Sequence, residues 1–223
     1  MKLNQLHEAK VRSVLSVMGK QQDTISGNFI CIDKQLTSLE GSPTEVDGDF
    51  FCGNNKLASL EHAPTSVGRD FFCESNQLVS LEGAPTSVGG NFFCGRNQLT
   101  SLAGAPTVVG RGFYCGSNQL VSLAGAPTVV GRGFYCYNNK LTSLEGIHKQ
   151  IKKINGKFHA TGMKLESHLL GLILIDGITR IEIDNKDIEE ILNRHLHQPN
   201  KKLAMLTCQQ ELIDAGYEEA AQL

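Results

Sequence analysis

A 21-residue period governs this chain from Phe29 to Leu144. Cysteine returns at Cys31, Cys52, Cys73, Cys94, Cys115 and Cys136 without slippage. The clearest copy, residues 110–130, reads GRGFYCGSNQLVSLAGAPTVV. A fixed period of this length specifies a solenoid, because one unit cannot bury its apolar face alone and stacked units can. A length of 223 residues permits one domain or two. The repeat overrides that arithmetic, since a stack needs no spherical core.

Each unit follows F-x-C-x-x-N-x-L-x-S-L-x-x-x-P-x-x-V. Phe50, Phe71, Phe92, Phe113 and Phe134 open successive units, and the cysteine stands two residues later. In a strand alternate side chains share a face, so these phenylalanines and cysteines point inward together. Asn55, Asn76, Asn97, Asn118 and Asn139 fall where the chain leaves the strand, where an amide side chain can bond backbone groups. Ser38, Ser59, Ser80, Ser101, Ser122 and Ser143 suit similar turn work. The Gly-Ala-Pro stretch makes the return side extended, because proline disfavours helix just before it.

The pattern apolar-x-apolar-x-x-Asn-x-Leu-x-x-Leu resembles the leucine-rich repeat, with Phe and Cys in leucine positions. Its remainder, L-x-G-A-P-x-x-V-G, resembles the short, Pro-containing bacterial type. The wording C-G-S-N-Q-L-V-S-L-A-G-A-P is similar to small repeat proteins encoded by tailed phages and some bacteria. That resemblance implies a leucine-rich-repeat solenoid with a parallel sheet of about eight strands on its concave face. For a phage protein it also implies a protein partner, a host factor that the chain binds or inhibits in the bacterial cytoplasm.

Both ends depart from the period. Residues 1–24 read as an N-terminal helical cap, with Leu3, Leu6, Lys10/Val11, Val14 and Val17/Met18 forming one stripe. The solenoid occupies 25–186, with regular units over 29–147 and irregular ones over 148–186. There a seventh strand is expected at Ile154–Ala160, a short outer helix at Ser167–Ile175 and an eighth strand at Ile178–Ile183. Residues 187–223 read as a C-terminal helical cap. Asp187 is placed to start one helix, and a second over 201–215 would bury Leu203, Leu206, Leu212 and Ile213, stopping at Gly216.

Composition bounds the function. A formal net charge of −2 argues against whole-protein attraction to nucleic acid or anionic membrane. The first ten residues lack a signal-peptide core, and the apolar run Leu169–Ile175 is too short to span a bilayer. Six of the seven cysteines occupy one inward slot, which fits reduced thiols in a cytoplasmic protein better than a disulfide framework. No phosphate loop, nucleophile elbow or metal-ligand spacing stands out. The pair His195-x-His197 reads as helix surface. The expectation is a non-enzymatic chain with no metal and no cofactor.

The candidate site is the residue after each inward phenylalanine: Phe51, Phe72, Phe93, Tyr114 and Tyr135. These point outward and line the concave face as an aromatic stripe about 20 Å long at the strand spacing, an interaction surface by its size. Flanking slots vary. Asp49, Asp70, Asn91, Gly112 and Gly133 run from acidic to bare, while Glu74, Arg96 and Tyr137 interrupt small residues on the other side. A second candidate is a basic docking edge of Lys149, Lys152, Lys153, Lys157 and Lys164, free of Asp and Glu between 147 and 164. Two other readings follow from the same residues. One is a carbohydrate or nucleic-acid module using the stacked aromatics, with Arg132, Lys152 and Lys153 on phosphate. The other is an oligomeric structural component that uses the stripe to pair with itself.

Overall fold

The computed structural model describes residues 12–223. It is a solenoid of two parallel sheets. The front sheet has eight strands: Phe29–Ile30, Phe50–Phe51, Phe71–Phe72, Phe92–Phe93, Phe113–Tyr114, Phe134–Tyr135, Lys157–Ala160 and Arg180–Ile183. The return sheet has seven, at Thr24–Ile25, Glu45–Val46, Ser66–Val67, Ser87–Val88, Val108–Val109, Val129–Val130 and Lys153–Ile154. Each strand pairs with its equivalent one unit away, in register: Phe50 opposite Phe71, Val67 opposite Val88, Phe134 opposite Phe158. The expected seventh strand therefore divides between the sheets, and the eighth begins at Arg180.

The interior is made of columns. Phe50, Phe71, Phe92, Phe113, Phe134 and Phe158 are fully buried, as are Cys52 to Cys136 and both leucine slots up to Leu120. Successive inner rings stack 5.2–5.8 Å apart. Burying a ring of this kind stabilises by about 1.5–3 kcal/mol, and a stacked pair adds roughly 0.5–1.5 kcal/mol. The cysteines are free and buried. Burial pushes Cys31 and Cys208 up to about 12, and the other five thiols are raised as well. They are core residues at neutral pH, not nucleophiles.

The buried asparagines form the expected ladder. Asn97 Oδ1 accepts from the Leu78 N–H, while its Nδ2 donates to the carbonyls of Cys73 and Cys94. Asn55, Asn76, Asn118 and Asn139 repeat the arrangement. Ser38, Ser122 and Ser143 accept from the N–H two residues on, closing the turns that follow.

The ends depart from expectation in detail. At the start only a short helix, α1 (Val14–Met18), lies within the described residues, capped by Ser13. Val14 is buried, whereas Val17 and Met18 are exposed. Leu3, Leu6, Lys10 and Val11 fall outside the described residues. In the irregular region α2 spans Ile147–Gln150 and α3 spans Gly171–Leu174, the latter buried rather than outer. Asn185, not Asp187, caps α4 (Lys186–His195), accepting from the N–H groups of Asp187 and Ile188. Asp187 is the second residue of α4 and accepts from the Tyr217 hydroxyl.

The helix α5 (Lys201–Asp214) corrects the expected core. It buries Ala204, Cys208 and Leu212, leaving Leu203, Leu206 and Ile213 on its outer face. The small-residue side turns inward because it lets α5 approach its neighbours α3 and α4 closely. The last front strand would present an open edge. Instead, Asn193 of α4 accepts from the Ile181 N–H and donates to the Ile181 carbonyl, both at 2.8 Å. Glu189 accepts from the Ile183 N–H at 2.9 Å, and Lys186 donates to the Ile183 carbonyl. Side chains thus stand in for a ninth strand. Among the described residues no helix is long and apolar enough to cross a membrane.

Candidate functional site

The residues beside the cysteines form the outward row of the front sheet. Register places Ile30, Phe51, Phe72, Phe93, Tyr114, Tyr135, His159 and Glu182 in one line. The five central rings are half-buried. They stack 4.5–4.6 Å apart with interplanar angles of 2–12°. That spacing is shorter than in the inner column. Successive units are therefore rotated, and the row lies on the inside of the curve, the concave face.

The stacking also fixes what the row can offer. Each ring covers the π-face of its neighbour, so a ligand meets ring edges. The open faces are those at the ends, beside Ile30 and beside His159. At the latter end His159 meets Tyr135 edge-on at 6.0 Å and Tyr137 at 5.6 Å, and its Nε2 lies 2.7 Å from the Thr161 hydroxyl. The row therefore presents a hydrophobic strip of edges about 18 Å long, four ring spacings of 4.5–4.6 Å.

The flanking residues divide into those that serve the backbone and those that face outward. Asn28, Asp49, Asp70 and Asn91 form a second ladder, each accepting from the N–H of its counterpart one unit on, at 2.7–2.9 Å. The ladder ends at Gly112, and there tyrosine replaces phenylalanine. A Cβ at Gly112 or Gly133 would lie 2.6 Å from the ring of Tyr114 or Tyr135, so these rings need glycine beneath them. The sequence contains this signal as paired changes, Asp or Asn with Phe and Gly with Tyr, which inspection of single slots does not reveal. Burial first, then the neighbouring Tyr135, pushes the Tyr114 hydroxyl above its ordinary value.

The other candidates are not brought together as one surface. Glu74 and Tyr137 share the slot of Gly53, Gly95 and Gly116, and the Tyr137 ring lies over Gly116. Arg96 belongs to the next column, the left-handed turn position shared with Asn54, Ser75, Ser117 and Asn138, at φ 56°. The basic edge is split as well. Lys153 lies in the return sheet, Lys149 lies in α2 and Lys152 follows it, while Lys164 is an exposed loop residue. Lys157 lies in the front sheet, 2.7 Å from Glu182.

Sequence reasoning missed the cluster that closes the row. Lys157, His159 and Arg180 converge on Glu182, at 2.7, 3.6 and 3.2 Å. The hydrogen bond from Lys157 is the first cause that holds the Glu182 carboxyl below the ordinary range. These residues lie in the irregular units, where the period gives no register. Among the described residues no group of three or more His, Cys, Asp or Glu side chains is placed to hold a metal ion. No protein-family model and no curated protein sequence matches this chain.

Proposed function

We propose that the chain is a non-enzymatic module that binds a protein partner along the concave ring-edge strip. One observation carries the reading. Five half-exposed aromatic rings stand in line on the outer face of the front sheet, flanked by slots that change from unit to unit. Regular scaffold with variable exposed positions is how solenoids present a binding surface, and aromatic side chains supply much of the energy in protein contacts.

The repeat's resemblance to leucine-rich units, and its wording like that of small phage repeat proteins, supports a bacterial host factor as the partner, met in the cytoplasm. Binding of sugars or bases is the weaker reading, because stacking needs open ring faces and the column covers them. A fold alone does not fix function, so the test addresses the strip itself. Phe72→Ala combined with Tyr114→Ala is expected to abolish capture of a partner from bacterial lysate while circular dichroism stays native. Undiminished capture by the folded double variant removes the reading.

A further inference from the structure

Two apolar surfaces of this chain lack a partner among the described residues, and they match each other. The first is the ring-edge strip. The second is the outer face of α5, where Leu203, Leu206 and Ile213 are 53%, 47% and 41% exposed. At 3.6 residues per turn these three fall within about a quarter of the helix circumference. Leu203 and Ile213 lie about 15 Å apart along the axis at 1.5 Å per residue. The strip of ring edges runs about 18 Å, at four ring spacings of 4.5–4.6 Å. A helix 10–12 Å across fits the three outward slots of the sheet, about 13 Å wide at the strand rise.

The charges at the ends also correspond. Lys202 stands at the start of the α5 face and Asp214 at its end, both exposed. The strip has Asp49 and Asp70 beside its first rings; beyond its last, Lys157 and Arg180 share one carboxylate, Glu182, and leave that end net positive. We propose that α5 of one copy docks along the ring-edge strip of a second copy, with Lys202 toward Asp49 and Asp70 and Asp214 toward Lys157 and Arg180. This rests on the reading that the strip binds protein, and it names a second copy of the chain as an occupant. Helix face and strip are different surfaces of one molecule, so the contact is heterologous: each copy can give a helix and receive one, making rings or open chains. One helix on one sheet face is a small interface of the reversible class, so association should grow with concentration.

The test uses sedimentation velocity of the full chain across a concentration series. Wild type is expected to gain mass as concentration rises. Leu206→Asp with Ile213→Asp, at exposed positions, should remain monomeric, and so should Phe72→Ala with Tyr114→Ala. Mixing these two variants should give a 1:1 complex and nothing larger, because one competent helix and one competent strip remain. Lys202→Glu should weaken association, and so should Asp49→Asn with Asp70→Asn on the receiving copy, which remove the charges and keep the Oδ1 acceptors of the backbone ladder. A wild type of constant mass overturns the proposal, as does a helix variant that associates like wild type or a mixture that stays monomeric. Lysate capture lost in the strip variant, together with a wild type of constant mass, would leave the strip as a binding surface and remove α5 as its occupant.

Discussion

Replacing Asn97 by alanine probes the ladder at mid-stack, where its arithmetic is cleanest. Asn97 accepts from the Leu78 N–H at 3.0 Å and donates to the carbonyls of Cys73 and Cys94, each at 3.1 Å. Those carbonyls keep a second donor, Asn76 for Cys73 and Asn118 for Cys94. Truncation therefore orphans one buried group, the Leu78 N–H, and removes the two amide N–H groups from shared acceptors, which include the Gly95 carbonyl at 3.3 Å. An orphaned buried donor costs roughly 1–3 kcal/mol and each lost bond roughly 0.5–1.5 kcal/mol, so the expected loss is about 2–6 kcal/mol. Asn97→Asp should be worse. Its carboxylate keeps the Leu78 bond but turns a second oxygen toward two carbonyls, a buried charge without a donor. Urea unfolding followed by far-UV circular dichroism reads both variants, with an unchanged m-value showing that the same surface unfolds. A loss below about 1 kcal/mol for alanine, or an aspartate variant more stable than the alanine one, refutes the reasoning.

Two further outcomes follow from the C-terminal cap. Asn193→Leu removes both bonds to Ile181 and uncovers the last front strand. The Ile181 amide should then lose hydrogen-exchange protection while that of Phe92, four strands away, keeps it; equal protection of Ile181 in both proteins would show that the amide is not the seal. His195 is buried between the helices, its Nε2 2.7 Å from Glu211 and its Nδ1 2.9 Å from the Gln198 amide. Burial first, then Arg194, lowers its affinity for a proton below the ordinary value of 6.5. The unfolded chain then binds the proton better, so stability is complete above pH 6.5 and declines as pH falls below it. His195→Gln should flatten that decline, and an equally steep acid limb in the variant would assign it to other groups.

Much of the fold was legible because the period is strict. Once Phe113 and Cys115 share a face, every equivalent residue from Phe50 to Cys136 follows, and the structure buries them all. The asparagine ladder was legible for the same reason. The return sheet was harder to see, since strands of two residues such as Ser66–Val67 are too short to show a period of their own. The α5 helix misled through size. Leu203, Leu206 and Ile213 form one stripe and Ala204, Cys208 and Leu212 another, and the larger residues look like the core. Close approach to α4 favours the smaller set. At the candidate site the outward row could be named from alternation. Its π-face coverage could not, because that depends on the 4.5 Å ring spacing, which the curvature sets. The placement of Lys157 beside Glu182 depends on the irregular units, whose register no repeat specifies.

The column of outward rings has an optical consequence. The chain contains no tryptophan and four tyrosines, and two of these, Tyr114 and Tyr135, lie cofacial at 2° within the column. The near-ultraviolet signal of this molecule therefore arises largely from the surface to which binding is assigned. Cofacial chromophores at this separation couple as excitons, and anything that seats on their edges or tilts one ring changes that coupling. The molecule carries its own unlabelled reporter, at the place where occupancy matters.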